Sequence, residues 1–159
     1  MGDNDELQQI LNIFNIPEIN INTNYWFVRT ESGKFFKDFY FSKYISIGWD
    51  ELSDSEQIKS LSFDVLKEQI KNIYKNDIRP GQTANQIRRF MFDMKKGDIV
   101  LIPSINSDLI AFGEILEDEY YIYENTSSEL EEYIDDVSYE KCNYKKKKKC
   151  KVVSRYKKG

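Results

Sequence analysis

The spacing of apolar residues predicts two helices in the first half of the chain. Apolar positions recur at helical intervals within residues 5–14, and Pro17 ends that segment. A longer 3.6-residue period runs from Ile58 to Ile73. It follows Ser53-Asp54-Ser55-Glu56, which has the form of a capping box. We therefore expect a short N-terminal helix and a long helix from about Asp54 to Tyr74.

A third amphipathic segment begins at a second capping box, Thr83-Ala84-Asn85-Gln86. Gly97 is expected to end this helix, and Lys95 and Lys96 lie in its last turn, where the helix dipole favours cations. One side of the helix is apolar and should face the core. The residues predicted to be buried are Ala84, Ile87, Phe90, Met91 and Met94.

Runs rich in aromatic and β-branched residues predict the strands. In chain order they span residues 24–30, 35–41, 44–49, 99–103, 109–116, 120–123 and 139–153, the last as one long strand or a hairpin. Polar turns at residues 31–34 and 106–108 separate some of them. Strands closed around helices predict an α+β fold built on a mixed β-barrel.

Charge is distributed unevenly along the chain. The net charge of −4 gives no overall attraction to nucleic acid. However, residues 117–136 hold nine acidic residues and no basic one, whereas residues 141–159 hold ten basic residues and no acidic one. We expect a solvated acidic loop, with a helical turn within residues 124–136, followed by a lysine-rich strand at residues 141–153.

Several classes of function are disfavoured by composition. The chain has no histidine, and its two cysteines, Cys142 and Cys150, lack zinc-site spacing. Neither a Walker A motif nor a Rossmann glycine fingerprint occurs. We therefore expect a protein without metal, cofactor or catalytic activity. An acidic start, and no apolar run of the ~18–20 residues that a membrane span needs, lead us to expect a cytoplasmic protein that does not bind membranes.

A combination of short motifs resembles the PUA-like superfamily, and within it the EVE, ASCH and YTH-like domains. The resemblance covers residues 24–123, and the motifs are Trp26, Ala84-Asn85, Phe90, Met94-Lys95-Lys96-Gly97-Asp98, Val100-Leu101 and Ala111-Phe112-Gly113-Glu114-Ile115. It implies a PUA-like (EVE-like) barrel flanked by helices over residues 21–155, behind an N-terminal helical extension of residues 1–20. It also implies a pocket that reads a nucleobase, modified or unmodified, flipped out of DNA or RNA.

Two tryptophans are the candidate stacking residues of such a pocket. Reading an extruded base requires aromatic faces, which Trp26 and Trp49 provide. Gly48 beside Trp49 permits another group to approach closely. The alternative is that both tryptophans belong to the core, and strand alternation does not fix the side on which Trp26 lies.

Four polar residues are candidates for contacts with the ligand. Arg29 is suited to a phosphate or to stacking on a base, and Asp50 to accepting from an exocyclic amine. Asn85 is implicated through the family pattern, in which the helix start borders the pocket. Ser104, just after a strand, is suited to a hydrogen bond with a base. The alternatives are an exposed strand-end cation for Arg29 and turns for Asp50 and Ser104.

Five basic residues are candidates for contacts with a phosphate backbone. They are Arg88, Arg89, Lys145, Lys147 and Lys149. The arginines lie on the polar side of their helix, and alternate lysines share one face of a strand. The alternatives are a solvated helix face and an edge strand that lysines protect from aggregation.

The function expected from these features is non-catalytic recognition of a flipped base in DNA or RNA. The Ile47-Gly48-Trp49-Asp50 block is similar to N-terminal modules of Mrr-type and other restriction or phage-defence proteins. That resemblance implies a restriction or phage-defence context, with other subunits of such a system as further partners. Two alternatives stay open: a protein-interaction or oligomerisation module, and a sensor of a free nucleotide-type ligand.

Overall fold

The computed structural model of the chain describes residues 22–123, 131–134 and 137–157, together with residues 9 and 13. Within these residues the fold is α+β, with a curled mixed sheet and several helices. The helices are α1 (Phe36–Ser42), α2 (Ser55–Ser60), α3 (Phe63–Ile73) and α4 (Pro80–Arg88). The strands are β1 (Tyr25–Phe27), β2 (Tyr44–Ile47), β3 (Ile99–Pro103), β4 (Leu109–Ile115), β5 (Tyr121–Ile122), β6 (Glu131–Ile134), β7 (Val137–Glu140) and β8 (Lys146–Lys157).

The main sheet has the strand order β1-β3-β4-β8-β2, and β5 also pairs with β8. Strands β1 and β3 run parallel, with Trp26 opposite Val100, and the other pairs are antiparallel. A register shift between Phe112 and Gly113 interrupts the pairing of β4 with β8. Such irregularities bend a strand and increase its twist, which suits a sheet that curls.

Strand β8 joins the two halves of this sheet. Residues 146–149 pair with β2, and residues 150–157 pair with β4. Lys146 and Lys147 therefore lie inside the sheet, with β2 on one side and β5 on the other. The interpretation of the lysine-rich segment as a lysine-protected edge strand is wrong, because β2 and β5 already cover its first residues.

Two hydrophobic clusters form the interior. The first lies between the sheet and α1, and the second lies among α2, α3 and α4. Ile47 and Tyr120 pack against both clusters and so connect them. Cys142 and Cys150 are free thiols in the first cluster, and burial raises the pKa of each to about 12.

The strand predicted over residues 35–41 is wrong, because this segment forms α1. In a strand, the exposed Lys37 would share a face with Phe35 and Phe39. In a helix, positions four residues apart meet on one side, and the two phenylalanine rings lie 6.3 Å apart in the core. Burial of both rings thus overrides the β-propensity of the aromatic residues.

The single helix predicted over residues 54–74 is also wrong, because Leu61 is extended and separates α2 from α3. Ser62 caps α3 by accepting a hydrogen bond from the backbone N–H of Val65. The first capping residue is Asp54, which accepts from the N–H of Gln57, and not Ser53 as the capping box predicted.

The helix start predicted from the second capping box is also wrong. Helix α4 begins at Pro80, whose missing N–H suits the first helical position. Thr83 lies inside the helix, and its hydroxyl donates to the carboxylate of Asp77 at 2.5 Å. The helix continues as a π-helical turn, Arg89–Asp93, and so ends before Gly97. All five residues predicted to be buried on this segment are buried.

The strands predicted at residues 24–30, 44–49, 99–103, 109–116 and 120–123 are confirmed, most of them with narrower bounds. Residues 131–134 and 137–140 pair as a hairpin, so the predicted acidic loop with a helical turn is wrong there. Residues 139–153, predicted as one long strand or a hairpin, form neither, because residues 141–145 separate β7 from β8. Strand β7 pairs with β6, and β8 pairs with β2, β4 and β5. The rest of the acidic loop, and the predicted helix at residues 5–14 in the N-terminal extension, lie outside the described residues, apart from residues 9 and 13. No helix in the described ranges is long and apolar enough to cross a membrane.

Candidate ligand-binding pocket

A cavity of about 800 Å³ opens beside β1, between the end of β2 and the end of α4. Aromatic side chains dominate its wall, and polar groups are few. The lining residues are Tyr25, Trp26, Phe27, Val28, Arg29, Thr30, Glu31, Ile47, Gly48, Trp49, Tyr74, Gln86, Arg89, Phe90, Met94 and Tyr144. Four residues predicted as ligand contacts, Trp26, Arg29, Gly48 and Trp49, therefore meet at one site. Arg89, predicted to contact a phosphate backbone, lines the same cavity.

Trp26 is held by the turn between α4 and β3. Its indole Nε1 donates to Asp98 Oδ2 at 2.8 Å. The same oxygen accepts from the N–H of Lys95 at 2.9 Å, and Oδ1 accepts from the N–H of Asn24 at 3.3 Å. Asp98 is buried, so these bonds satisfy a carboxylate that water does not reach. The polar edge of the indole is fixed by this network, which leaves its faces for packing and stacking.

Trp49 has a backbone conformation that a bulky residue rarely adopts. Its φ is +60°, in the left-handed region that favours glycine. Its carbonyl oxygen accepts from the N–H of Leu52 at 2.9 Å and from the ammonium of Lys146 at 2.7 Å. Lys146 is completely buried and also donates to Ser53 Oγ at 3.2 Å. A buried cation from β8 thus holds the turn that presents Trp49.

Gly48 is needed because the ring of Tyr144 lies against it. A β-carbon at position 48 would lie 3.3 Å from Tyr144 Cζ, which is a tight contact. Tyr144 also packs edge-on against Phe35, with ring centroids 5.6 Å apart, and its hydroxyl donates to Glu31. The close neighbour that Gly48 admits in the fold is a side chain of the protein itself, Tyr144, which forms a third aromatic wall of the pocket.

Sequence reasoning missed several lining residues, among them Tyr144 and Tyr74. Tyr74 follows α3, and its hydroxyl donates to Glu51. Neither tyrosine belongs to a periodic pattern that points toward the site, since each follows or precedes a regular element. Only the pairing of β2 with β8 brings Tyr144 back to residue 48. Glu31 was missed because a turn residue gives no directional signal.

The two lining cations are Arg29 and Arg89. Both side chains are exposed, and neither has a hydrogen bond, ion pair or ring contact with another described residue. Arg89 begins the π-helical turn, a feature that is frequent at functional sites. The neighbouring Arg88 is half-buried and does not line the cavity. The pocket therefore combines aromatic walls with cationic groups at its opening to solvent.

Three predicted ligand contacts lie outside the cavity. The carboxylate of Asp50 accepts from the backbone N–H of Lys145 at 2.9 Å, and so fastens the turn to the start of β8. Asn85 is exposed on α4, and the next residue, Gln86, lines the pocket instead. The hydroxyl oxygen of Ser104 accepts from the N–H of Leu109 at 3.0 Å. Asp50 and Ser104 thus have structural roles in this arrangement.

Lys145, Lys147 and Lys149 were predicted to align along a phosphate backbone. That prediction is corrected because Lys147 is buried and Lys145 is half-buried. Lys147 is only 5% exposed, and its ammonium lies 4.1 Å from the ring centre of Tyr44 and 4.4 Å from that of Tyr123. Cation–π contacts of this kind stabilise a lysine away from water. Lys145 is half-buried, and Lys149 alone of the three is exposed, 3.9 Å from Glu117.

Lys146 and Lys148 extend to the opposite face of β8. Both are fully buried, and Lys148 Nζ donates to the carbonyl oxygens of Met94 at 2.7 Å and Asp118 at 2.8 Å. Burial lowers the pKa of each to about 8. For Lys146, Asp50 and Glu51 partly offset this effect. These side chains donate hydrogen bonds to the backbone of residues that line the pocket, but they do not line it themselves.

The fold and the cavity define an α+β domain whose curled sheet carries an aromatic pocket with a cationic rim. Residues 26–151 match the model of a family described as a domain of unknown function (DUF8426), and the chain belongs to that family. The matched segment begins at Trp26 and extends past Tyr144, so it contains every lining residue of the pocket except Tyr25. No curated protein and no solved structure matches the chain.

Proposed function

We propose that this protein is a PUA-like, non-catalytic reader that binds a flipped nucleobase of DNA or RNA in the aromatic pocket. One observation carries the proposal: Trp26, Trp49 and Tyr144, from three distant parts of the chain, line one cavity. Single-stranded or extruded bases are held by stacking on such side chains. The cavity of about 800 Å³ lies in the range of small-molecule sites, and so has room for a nucleotide unit.

Backbone strain at the pocket supports this assignment. Glu31 and Trp49 both line the cavity and both have positive φ values, of 50° and 60°. Such conformations cost of order 1–3 kcal/mol each and cluster at functional sites. Trp49 is held in place by Lys146 and Leu52, as a preorganised stacking wall requires.

The cations support a ligand that carries phosphate. Arg29 and Arg89 are free of partners among the described residues, and guanidinium groups bind phosphate oxygens bidentately. A flipped nucleotide brings its own phosphates to the rim when its base enters the pocket. The proposal includes a cytoplasmic role in a restriction or phage-defence system. The resemblance of the Ile47–Asp50 block supports that role, and other subunits of such a system would be partners.

Fluorescence anisotropy with labelled oligonucleotides tests the pocket. The probes are single-stranded DNA and RNA, and duplexes with one unpaired base, each with and without base methylation. Trp49→Ala should weaken binding roughly 10- to 100-fold, because stacking contributes about 1–3 kcal/mol per base. Trp49→Phe keeps a ring and should retain most of the affinity.

Unchanged binding by Trp49→Ala would show that the pocket is not the site. Circular dichroism should show both variants folded, since alanine and phenylalanine at φ +60° are no more strained than tryptophan. Competition by free nucleoside monophosphates separates the two ligand sources. A monophosphate that displaces the oligonucleotide at equal concentration would identify a free nucleotide as the preferred ligand.

A further inference from the structure

We propose that Glu31 makes this pocket selective for bases with an exocyclic amine, namely cytosine, adenine and guanine, over thymine and uracil. The inference rests on the proposed function and specifies its ligand. The inference follows from two observations: most polar groups of the pocket wall are already hydrogen-bonded within the protein, and only a few remain available to a ligand.

Most polar atoms of the aromatic walls are already engaged. Trp26 Nε1 donates to Asp98, and the hydroxyl groups of Tyr74 and Tyr144 donate to carboxylates. Thr30 Oγ1 donates to the carbonyl oxygen of Ser46 at 2.9 Å. These groups fix the walls, and their donor protons are committed, so a bound base could accept from them only by breaking an existing bond. The hydroxyl oxygens can still accept a hydrogen bond.

Glu31 is the only acidic residue among the described residues that line the cavity. Its Oε1 accepts a hydrogen bond from the hydroxyl group of Tyr144, and no hydrogen bond to Oε2 occurs among the described residues. An ionised carboxylate only accepts hydrogen bonds, whereas Arg29 and Arg89 only donate them. The complementary ligand therefore carries an N–H donor on its base facing Glu31, and phosphate oxygens facing the guanidinium groups at the rim.

The position of Glu31 is fixed by the backbone around it. Residues 31 and 32 have φ values of 50° and 56°, and Gly33 follows at 91°. The N–H of Lys34 donates to the carbonyl oxygen of Glu31 at 3.1 Å. Gly33 lies so close to the backbone of Ser104 that a β-carbon would be 2.6 Å from its carbonyl carbon. The carboxylate is therefore held in two ways: by the fixed backbone of its own turn and by the hydrogen bond that its Oε1 accepts.

An amine-bearing base meets these requirements. The amino groups of cytosine, adenine and guanine lie on the Watson–Crick edge, and Glu or Asp is a recognised acceptor for the cytosine amine. Thymine and uracil present carbonyl oxygens on both sides of their single N3–H on that edge. Those lone pairs would face the carboxylate and repel it. Methylation at carbon 5 of cytosine leaves the amine unchanged, so the selectivity applies to that modified base too.

The test measures binding to a set of fluorescein-labelled duplexes that differ only in one unpaired base. The parent protein should bind duplexes with unpaired cytosine, adenine or guanine at least about tenfold more tightly than one with thymine. Glu31→Gln should reduce that preference to within about threefold, because the amide nitrogen can donate to a carbonyl oxygen of thymine. Tyr144→Phe keeps the ring but releases the carboxylate, and should reduce the preference as well.

Glu68→Gln, an exposed carboxylate on α3 outside the pocket, is the matched control and should keep the parent preference. Equal binding of all four bases by the parent, or an unchanged preference in folded Glu31→Gln and Tyr144→Phe, would overturn the inference while the reader function stands. Absence of binding to every duplex and single strand would overturn both.

Discussion

At the scale of single residues, the buried lysines of β8 are the least expected feature of the molecule. An ammonium group loses hydration when it is buried, so it needs several hydrogen bonds in compensation. Lys146 and Lys148 find them mainly in backbone carbonyl oxygens, including that of Trp49. Carbonyl acceptors at turns are thereby satisfied, and the turn that carries Trp49 is attached to the sheet.

These lysines should make stability depend on pH. The pKa of Lys146 and Lys148 is about 8 in the fold against an ordinary value of 10.5. Between those values the unfolded chain binds more protons than the folded chain, so the free energy of unfolding rises with pH. The pKa of Cys142 and Cys150 is about 12 in the fold against 9.0, so their contribution falls with pH above about 9.

We therefore predict that the free energy of unfolding increases by on the order of 1 kcal/mol from about pH 7 to about pH 9, and decreases above about pH 10. Urea unfolding across this range measures it. Lys146→Met should flatten the rise, because one of the two shifted lysines is removed. Lys149→Met, at the exposed neighbouring position, should leave the rise intact. A rise that Lys146→Met leaves unchanged would mean that other groups cause it.

At the scale of elements, the joint between the turn at residues 31–33 and the turn at residues 105–107 positions the pocket. Gly33 approaches the backbone of Ser104 and Ile105 at distances that no β-carbon tolerates. This contact sets the direction in which the chain leaves β1 and therefore where Glu31 lies. Gly97 has nearly the same backbone angle, with φ +90°, but open space where a β-carbon would be.

These two glycines form a matched pair for mutation. Gly97→Ala should cost about 1 kcal/mol, because only the left-handed conformation opposes it. Gly33→Ala should cost at least about 2 kcal/mol more, because the backbone of Ser104 must also move. Urea unfolding gives both values. Equal losses of stability in the two variants would indicate that the backbone contact between residues 33 and 104 shifts at little cost and does not fix the position of the pocket.

How much of this structure the sequence predicts differs between elements. The strands at residues 99–103 and 109–115 follow from runs of apolar and β-branched residues, and the buried side of α4 follows from its helical periodicity. Helix α1 does not, since FFKDFYF satisfies the propensity of a strand as well as the spacing of a helix. The break at Leu61 is equally hidden, because apolar spacing continues across it.

The pocket was predictable in part, for a reason specific to its aromatic residues. Trp26 and Trp49 can be recognised as large rings beside a strand end or a glycine, and both line the cavity. Tyr144 depends on a pairing between strands about 100 residues apart, which local patterns do not encode. Glu31 lies in a turn, and a turn residue gives no directional signal. The lysine run was misread because charge alone suggests a surface, whereas carbonyl acceptors and tyrosine rings in the fold accommodate it.

At the scale of the whole molecule, the charge that matters for a nucleic acid is local. The net charge is −4, and the first lysines of β8 are buried, so the chain does not present the basic strip that its sequence suggests. Arg29 and Arg89 are the cations that line the pocket, and in the proposed function they would be nearest to the bound base. Binding should therefore depend on few phosphate contacts and only moderately on salt.

We predict that Arg89→Gln makes the slope of log affinity against log salt shallower by about 0.7, the value for one phosphate contact on a single strand. Anisotropy titrations at four salt concentrations give the slope. Lys149→Gln, which removes an exposed lysine of β8, should leave it unchanged. The reverse pattern would show that the strand and not the pocket rim follows the backbone.

Strand β8 also has a consequence for folding of the chain during its synthesis on the ribosome. It supplies Lys146 to the turn at Trp49, follows directly on Tyr144, and pairs with β2 and β4. Because translation is vectorial, the earlier strands wait for a partner that emerges about 100 residues after β2. Until then β2 has no neighbour from the main sheet, and the hydrophobic rings beside it are open to other chains. The nascent protein is therefore most exposed to aggregation in the interval before its lysine-rich segment leaves the exit tunnel.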